Sequence, residues 1–252
     1  MQTITFIGNG NMALSIAKGL KEKYYIEVAG RDMGKLGQFE SDLDTRIDKY
    51  LLNDFDITDK TVILCVKPAN VEEVGKQLKG KARVLFSVLA GTSLEKLKKH
   101  FKTKAVVRAM PNLAASVGAS MTTLTGDQRF QKEAESLLGA VGETLWLNSE
   151  KEIDIATALA GSGPAYLALI AEALADGAVK QGLKREDAMA VMHGLFGGFG
   201  KLIREVHPAL LKDGVMSPGG TTAAGYAALE EGNVRSACMD AIEKAYERAT
   251  EL

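Results

Sequence analysis

The first 150 residues alternate between short apolar runs and longer amphipathic stretches. The short runs have the length and composition of strands and lie at Thr3–Ile7, Ile26–Ala29, Thr61–Val66, Arg83–Leu89, Ala105–Ala109 and Glu143–Leu147. Stretches with helical spacing separate them, at Asn11–Lys23, Val71–Leu78, Ser93–Phe101 and Phe130–Leu138. Strands and helices that alternate in this way predict a parallel sheet covered by helices on both faces.

The composition changes near Ser149. Residues 1–150 contain 13 alanines, whereas the shorter stretch 151–252 contains 20. Alanine has the highest helix propensity and lets helices approach closely, so the second part is predicted to be helical and tightly packed. We therefore expect two domains, an α/β domain over residues 1–149 and an all-α domain over residues 150–252.

Charge, cysteine content and hydropathy exclude several classes of protein. The 31 basic and 32 acidic residues give a net charge of -1, which argues against a broad basic nucleic-acid surface and against an acidic disordered chain. Cys65 and Cys238 form no CxxC motif, and both are expected to be small buried residues. The first lysine is Lys18, so no secretory signal is expected. The longest apolar stretch, Ile155–Ala171, is interrupted by Gly161–Pro164, so we expect no membrane span and a soluble, cytoplasmic protein.

The first strand runs directly into a glycine-rich turn. Gly8, Gly10 and Ala13 fit the pattern G-x-G-x-x-G/A between a strand and a helix, the context in which it indicates dinucleotide binding. Gly8 permits the tight turn, Gly10 leaves room for a pyrophosphate, and Ala13 allows close packing of the helix. The helix N-terminus then offers free N–H groups to the phosphates. The alternative is a turn that binds nothing, but the context favours a Rossmann-type, doubly wound domain.

The end of the second strand bears on the choice of cofactor. An acidic residue there would bind the ribose 2′-hydroxyl of NAD, whereas an arginine would pair with the 2′-phosphate of NADP. Arg31 comes first and Asp32 follows it. Arg31 could instead be a solvated loop charge, and Asp32 could cap the next helix. We predict NADP, with NAD as the alternative, because a guanidinium binds phosphate through two hydrogen bonds.

Two glycine-rich segments stand out in the helical part. Ser217–Thr222 places a proline and two glycines before a helical run, Ala223–Glu231, and such a helix start can bind a carboxylate. It could equally be an ordinary helix start with Thr222 as the capping residue. Four glycines between Gly194 and Gly200 interrupt the helical stretch Asp187–Val206. They predict a bend or a close helix contact, as in an interleaved dimer.

Six segments combine glycine, proline and small polar residues in a definite order along the chain: Ile7–Met12 (I-G-N-G-N-M), Val66–Pro68 (V-K-P), Ala90–Gly91 (A-G), Arg108–Asn112 (R-A-M-P-N), Gly161–Tyr166 (G-S-G-P-A-Y) and Ser217–Thr222 (S-P-G-G-T-T). In this order they resemble the pyrroline-5-carboxylate reductases, the enzymes of the last step of proline synthesis. The resemblance extends from Thr3 to about Glu231.

The resemblance implies an NAD(P)H-dependent oxidoreductase that transfers a hydride to the imine carbon of 1-pyrroline-5-carboxylate and forms L-proline. It implies a substrate carboxylate site at Ser217, Gly219, Gly220 and Thr221, with Thr222 as the catalytic residue that hydrogen-bonds the ring nitrogen. The implied cofactor residues are Gly8, Asn9, Gly10, Asn11, Met12, Ala13, Arg31, Asn53, Val66, Lys67, Pro68, Ala90 and Gly91. A homodimer, or a higher oligomer built from dimers, would share the pocket between subunits.

Some positions depart from the family pattern. Leu113 and Ala114 replace a common Thr-Pro, so the loop after Asn112 is expected to be less rigid; Met216 replaces a frequent threonine, and Gly30 replaces a polar residue.

Two other functions compete with this one. β-Hydroxyacid dehydrogenases carry a catalytic lysine with an asparagine four residues later, which neither Lys180 nor Lys184 has. A non-catalytic NADP sensor would have no use for the Ser217–Thr222 loop. The three histidines lie in no catalytic spacing and are expected at the surface or in packing roles. No metal site is expected.

Overall fold

The computed structural model describes residues 1–251, which contain ten strands and eleven α-helices. The strands are β1 (Thr3–Ile7), β2 (Tyr25–Gly30), β3 (Asp48–Leu51), β4 (Phe55–Asp56), β5 (Thr61–Leu64), β6 (Leu78–Lys79), β7 (Val84–Ser87), β8 (Val106–Met110), β9 (Ser120–Gly126) and β10 (Gly142–Trp146). The helices are α1 (Asn11–Leu20), α2 (Met33–Leu43), α3 (Val71–Gln77), α4 (Leu94–His100), α5 (Gln131–Leu138), α6 (Glu150–Ala156), α7 (Gly163–Lys180), α8 (Arg185–Glu205), α9 (Pro208–Val215), α10 (Thr221–Glu231) and α11 (Val234–Thr250).

Eight of the strands form one sheet in the order β10-β9-β8-β7-β5-β1-β2-β3. From β8 to β3 all neighbours run parallel; Ile4 of β1, for example, lies between Ile26 and Thr61. Strand β9 is antiparallel to β8, and β10 is parallel to β9. The predicted parallel sheet is therefore confirmed for six strands and wrong for the last two. The short strands β4 and β6 pair separately.

Helices cover both faces of this sheet, as the sequence predicts. Phe6 and Phe86 are fully buried on one face, in a cluster that α1, α2 and α5 complete. Ile7 and Leu64 point to the other face, where α3 and α4 pack. All four residues of β5 are buried. Burial on both sides explains why the central strands read as continuous apolar runs.

The predicted strands all exist, with ends that differ by one or two residues. Besides the two-residue strands β4 and β6, two strands of the main sheet escaped prediction, β3 and β9. Strand β9 contains Ser120 and three buried threonines, so it does not form an apolar run. Strand β3 is a short edge strand with mostly exposed side chains. Both lack the hydrophobic pattern on which strand prediction depends.

The described chain forms two compact units, one of residues 1–164 with residues 244–251, and one of residues 165–243. The second unit is entirely helical outside its turns. Its buried hydrophobic residues within the described chain are three alanines, Ala171, Ala175 and Ala188. Large apolar side chains such as Leu169 and Val191 are about two-thirds exposed, at 66% and 65%. This unit has little core of its own.

The sequence predicted that the segment Gly161–Pro164 interrupts the apolar stretch, but the structure shows no break in the helix there. A π-helical turn, Thr157–Gly161, joins α6 to α7 instead, and Pro164 lies in the first turn of α7, where proline is tolerated. By length and composition alone, the continuous stretch Glu150–Lys180 is the one helix among the described residues that could cross a membrane. The four glycines between Gly194 and Gly200 also leave α8 unbroken.

Candidate functional site

The turn after β1 accepts only glycine at its first position. Gly8 has a φ of +100°, and a Cβ there would lie 2.6 Å from the carbonyl oxygen of Cys65. Its N–H donates to the carbonyl of Ala29 at 2.9 Å. The turn therefore passes between the ends of β2 and β5, and a side chain would force these strands apart.

Gly10 serves a different purpose. It is the N-cap of α1 in an extended conformation and, having no side chain, supplies no capping bond. A Cβ at this position would meet no atom within 4 Å, so the chain itself does not require glycine here. Ala13, three residues later, is fully buried against the core. Open space above Gly10 at a helix N-terminus fits a bound pyrophosphate, as the sequence predicts.

A cavity of about 400 Å³ lies at this turn. It opens at the carboxyl ends of β1, β2 and β5, where ligands of doubly wound sheets bind. Its lining residues are Gly8, Asn9, Gly10, Gly30, Arg31, Asp32, Lys35, Leu52, Cys65, Val66, Lys67, Asn70 and Val74. Six of the predicted cofactor residues are therefore brought together: Gly8, Asn9, Gly10, Arg31, Val66 and Lys67.

Cations dominate the polar lining of this cavity. Arg31, Lys35 and Lys67 are exposed, and Asp32 contributes the carboxylate. Asp32 is the N-cap of α2, because its Oδ1 accepts a hydrogen bond from the N–H of Lys35 at 3.0 Å. This bond holds the pKa of Asp32 below its usual value. The capping alternative for Asp32 is thus confirmed.

Sequence reasoning missed Lys35. Asp32 caps the start of α2, and Lys35 lies in the first turn of that helix, four residues after Arg31. Helical spacing after the strand end was the signal that could have identified it. Cys65 also lines the cavity, and burial raises the pKa of its thiol, so the group is neutral at physiological pH. Cys238, expected to be buried, is instead exposed on α11.

Other predicted cofactor residues do not line this cavity. Asn53 is exposed after β3 and borders a separate opening beside Lys49 and Lys60. Pro68 begins a short 3₁₀ turn, and Ala90 and Gly91 follow β7 at the same edge of the sheet. Asn11 and Met12 form the first turn of α1. These assignments stay predictions.

The Ser217–Thr222 loop forms a tight turn before α10. The N–H of Gly220 donates to the carbonyl of Ser217 at 2.9 Å, and Gly219 has a φ of +72°. Pro218 and Gly219 thus occupy the positions that a type II turn assigns to them. A Cβ on Gly220 would collide with the hydroxyl of Ser217. The positive φ makes glycine a requirement of the turn at position 219, and at position 220 a side chain would displace the Ser217 hydroxyl.

Thr222 is not a helix cap. The N-cap of α10 is Gly220, which makes no side-chain capping bond, and the helix begins at Thr221. Thr221 and Thr222 are exposed, and no described residue hydrogen-bonds the Thr222 hydroxyl. The capping alternative is therefore wrong, and the first N–H groups of α10 are free for an anion, as at any uncapped helix start.

A buried ion-pair network holds α6 to the sheet. Arg108 of β8 is 4% exposed and donates to Glu150 at 2.9 Å and to Asp154 at 2.7 Å. Glu150 also accepts the N–H of Leu94 at the start of α4, at 2.8 Å. Sequence analysis noted Arg108 only as part of a motif. Its partners lie more than 40 residues away, and no local pattern reveals them.

The histidines make no catalytic arrangement. His193 and His207 are exposed, and His207 caps α9 by accepting the N–H of Ala209 at 3.3 Å. His100 is half-buried at the end of α4. Within residues 1–251 no three His, Cys, Asp or Glu side chains are grouped to hold a metal ion.

Comparison with known proteins identifies the family. Residues 150–252 match the family model described as pyrroline-5-carboxylate reductase dimerisation, and residues 3–91 match the model described as NADP oxidoreductase, coenzyme F420-dependent. A pyrroline-5-carboxylate reductase from Synechocystis is 42% identical over 201 residues, which cover 77% of this chain and 75% of the relative. The chain belongs to the pyrroline-5-carboxylate reductase family.

Two solved structures of family members extend the likeness over the whole chain. The 1-pyrroline-5-carboxylate reductase of Streptococcus pyogenes is 32% identical with a TM-score of 0.86, covering 99% of this chain and 98% of that one. The pyrroline carboxylate reductase of Plasmodium falciparum, solved with NADP bound, is 25% identical with a TM-score of 0.80 and the same coverage. The predicted family and fold class are confirmed.

Proposed function

We propose that this protein is a pyrroline-5-carboxylate reductase that uses NADPH. It reduces the imine of 1-pyrroline-5-carboxylate to L-proline, the last step of proline biosynthesis. The observation that carries the proposal is the full-length match to reductases of this family, in a chain that keeps both an open glycine turn and an uncapped helix start.

The cavity at Gly8–Gly10 fits a dinucleotide, and its cations favour NADP. We propose that the first turn of α1 binds the pyrophosphate and that Arg31, with Lys35 beside it, binds the 2′-phosphate. The carboxylate of Asp32 already accepts the N–H of Lys35 as a helix cap. It is therefore poorly placed to bind the ribose 2′-hydroxyl of NAD. When bound, the reduced nicotinamide supplies the hydride. NAD remains the alternative cofactor.

The substrate offers a carboxylate and a ring nitrogen. We propose that the loop of Ser217, Gly219, Gly220 and Thr221 holds the carboxylate through backbone N–H groups at the start of α10. The free Thr222 hydroxyl then hydrogen-bonds the ring nitrogen, because a hydroxyl can donate or accept. A pyrroline nitrogen is basic enough to arrive protonated, so no strong acid is needed. Fixing both groups orients the imine carbon for hydride transfer.

We also propose a homodimer, or a higher oligomer built from dimers, with the division between cofactor and dimerisation domains at residues 149 and 150. The helical unit buries three alanines and exposes many large apolar residues, which marks an interaction surface. A Cβ on any of Gly194, Gly197, Gly198 or Gly200 would meet nothing in this chain. These glycines leave α8 open to a second subunit. The cytoplasmic location stays a prediction.

An assay that follows the absorbance of NADPH tests the activity. Pyrroline-5-carboxylate should be reduced to proline, whereas a hydroxyacid with NADP, and its ketoacid with NADPH, should give no reaction. Turnover of the hydroxyacid pair alone would identify a β-hydroxyacid dehydrogenase. Tight NADPH binding with no turnover of any substrate would favour the sensor, and in both cases the proposal would be wrong.

A further inference from the structure

Shortly after the π-helical turn, Pro164 leaves one carbonyl without its usual α-helical donor. In an uninterrupted α-helix, the carbonyl of Ala160 would accept the N–H of residue 164. That residue is Pro164, which has no N–H. Nearby, the N–H of Ser162 reaches back five residues to the carbonyl of Thr157, at 3.2 Å. Because π turns are less stable than α-helix and occur often at functional sites, this one calls for a compensating contact.

Asn112 provides that contact. Its Nδ2 donates to the carbonyl of Ala160 at 3.0 Å, across 48 positions of the sequence. Its Oδ1 accepts the N–H of Ala114 at 3.1 Å, and its own N–H donates to Oγ of the buried Ser120 at 3.1 Å. The side-chain amide is thus held by two hydrogen bonds and the backbone by a third, and a flipped amide would place a donor against an N–H and an acceptor against a carbonyl. The orientation of Asn112 is therefore determined by its surroundings.

A side chain from the end of β8 also lies close to the π turn. The terminal methyl of Met110 lies 3.8 Å from where a Cβ on Gly161 would be. The hydrogen bond from Asn112 therefore joins two segments that already lie side by side. Both Asn112 and Ala160 are half-buried, so the hydrogen bond is partly shielded from water and contributes more than an exposed one.

The position of Asn112 along the sheet relates it to the cofactor. Strand β8 runs parallel to β7, β5 and β1, so Asn112 lies at the same edge as the glycine turn. A dinucleotide with its 2′-phosphate near Arg31 at the end of β2 crosses β1 at Gly8 and continues toward β5, β7 and β8. The nicotinamide, which carries the hydride, belongs on the side of Asn112.

We propose that Asn112 is a positioning residue for hydride transfer, which it serves by locking the π turn and the start of α7 to the sheet edge beside the nicotinamide. The inference rests on the proposed function. Asn112 need not touch the substrate or the cofactor itself. Instead, it fixes the backbone of the π turn, which this proposal places beside them. Its contribution therefore falls on turnover and not on NADPH affinity, because the cavity at Gly8–Gly10 has other lining residues.

The test is Asn112→Asp, which keeps the shape and the acceptor for Ala114 but loses the donor to Ala160. Asn148→Asp is the matched control, an exposed asparagine shortly before α6 whose side chain makes no hydrogen bond to described residues. We expect kcat of Asn112→Asp to fall by about ten- to a hundredfold, as a small misplacement of reacting groups does. The Kd for NADPH should change less than twofold. Amide hydrogen exchange should rise across residues 157–166 only in Asn112→Asp.

A second variant, Asn112→Asp with Pro164→Ala, keeps the test decisive if the single variant folds poorly. It restores an N–H four residues after Ala160, so the helix can close without Asn112. We expect thermal stability to recover and turnover to stay low. Full recovery of turnover would show that Asn112 only satisfies a carbonyl, and unchanged kcat or exchange in the single variant would equally overturn the proposal. The parent protein could fail to reduce pyrroline-5-carboxylate while amide exchange across residues 157–166 still rises in Asn112→Asp. In that case the proposed function is wrong, but Asn112 still fixes the π turn to the sheet.

Discussion

Arg31→Ala tests how this protein distinguishes NADPH from NADH. Arg31 lines the cavity, is exposed, and forms no salt bridge with a described carboxylate. Two unit charges 4 Å apart attract by about 1 kcal/mol in water, and a phosphate monoester carries nearly two negative charges at neutral pH. The water value applies because the side chain is exposed. The guanidinium should therefore contribute about 2 kcal/mol, which corresponds to about a 30-fold change in Kd.

Fluorescence titrations with NADPH and with NADH measure this directly. The Kd for NADPH should rise about 30-fold in Arg31→Ala and that for NADH less than threefold, because NADH has no 2′-phosphate. Raising the salt concentration should shrink the difference, since exposed charges are screened. Lys35→Ala should show the same selectivity with a smaller effect.

Two results would refute this reasoning. Equal losses for both cofactors would show that Arg31 supports the fold of the cavity or the adenine, and not the phosphate. An unchanged NADPH affinity would show that the residue is the solvated loop charge that the sequence also allows. Lys18→Ala, on the exposed side of α1 away from the cavity lining, controls for the loss of a positive charge.

Three further predictions concern other parts of the chain. Thr222→Ala should lower turnover by about ten- to a hundredfold, because one oriented hydrogen bond is lost. The affinity for NADPH should stay unchanged, and Thr222→Ser should restore most of the activity. An alanine variant as fast as the parent would show that Thr222 does not bind the ring nitrogen. Sedimentation at micromolar concentration should show no folded monomer, and a stable, active monomer would disprove the shared helical interface. Arg108→Gln should lower the free energy of unfolding by about 2 kcal/mol, because the partly exposed Glu150 and Asp154 lose their charge-assisted hydrogen bonds; a change within about 0.5 kcal/mol in denaturant unfolding, the surface-substitution range, would contradict this.

The sequence predicted the elements that carry a hydrophobic pattern and missed those that do not. Strand β5 is apolar because both its faces are buried, so its sequence identifies it. In β9 the buried side chains are largely Ser and Thr. The Ser120 hydroxyl accepts the N–H of Asn112 and lies 3.1 Å from the hydroxyl of Thr122. Such a strand has the composition of a loop.

The site residues that sequence analysis could identify are those that lie next to one another in a recognisable local motif. Gly8 and Gly10 lie two positions apart directly after β1, and Lys67 lies three residues after β5. Lys35 was missed because its place depends on how α2 leaves β2. The bond from Asn112 to Ala160 joins residues 48 positions apart, and only the folded chain brings them together. The effect of Pro164 on the carbonyl of Ala160 likewise depends on the helix continuing through the π turn.

The reversal of β9 and β10 decides at which edge of the sheet the chain departs. Because β10 runs opposite to β8 and ends level with Ala109, the chain that follows can run back along β8 toward its carboxyl end. The contacts record this path, with Glu150 and Asp154 on Arg108 and then Ala160 on Asn112. A further parallel strand in place of the reversed pair would send the following helix toward the opposite edge. The reversed pair thus brings the π turn Thr157–Gly161 back to the edge where Asn112 lies, with only a short connection between β10 and α6.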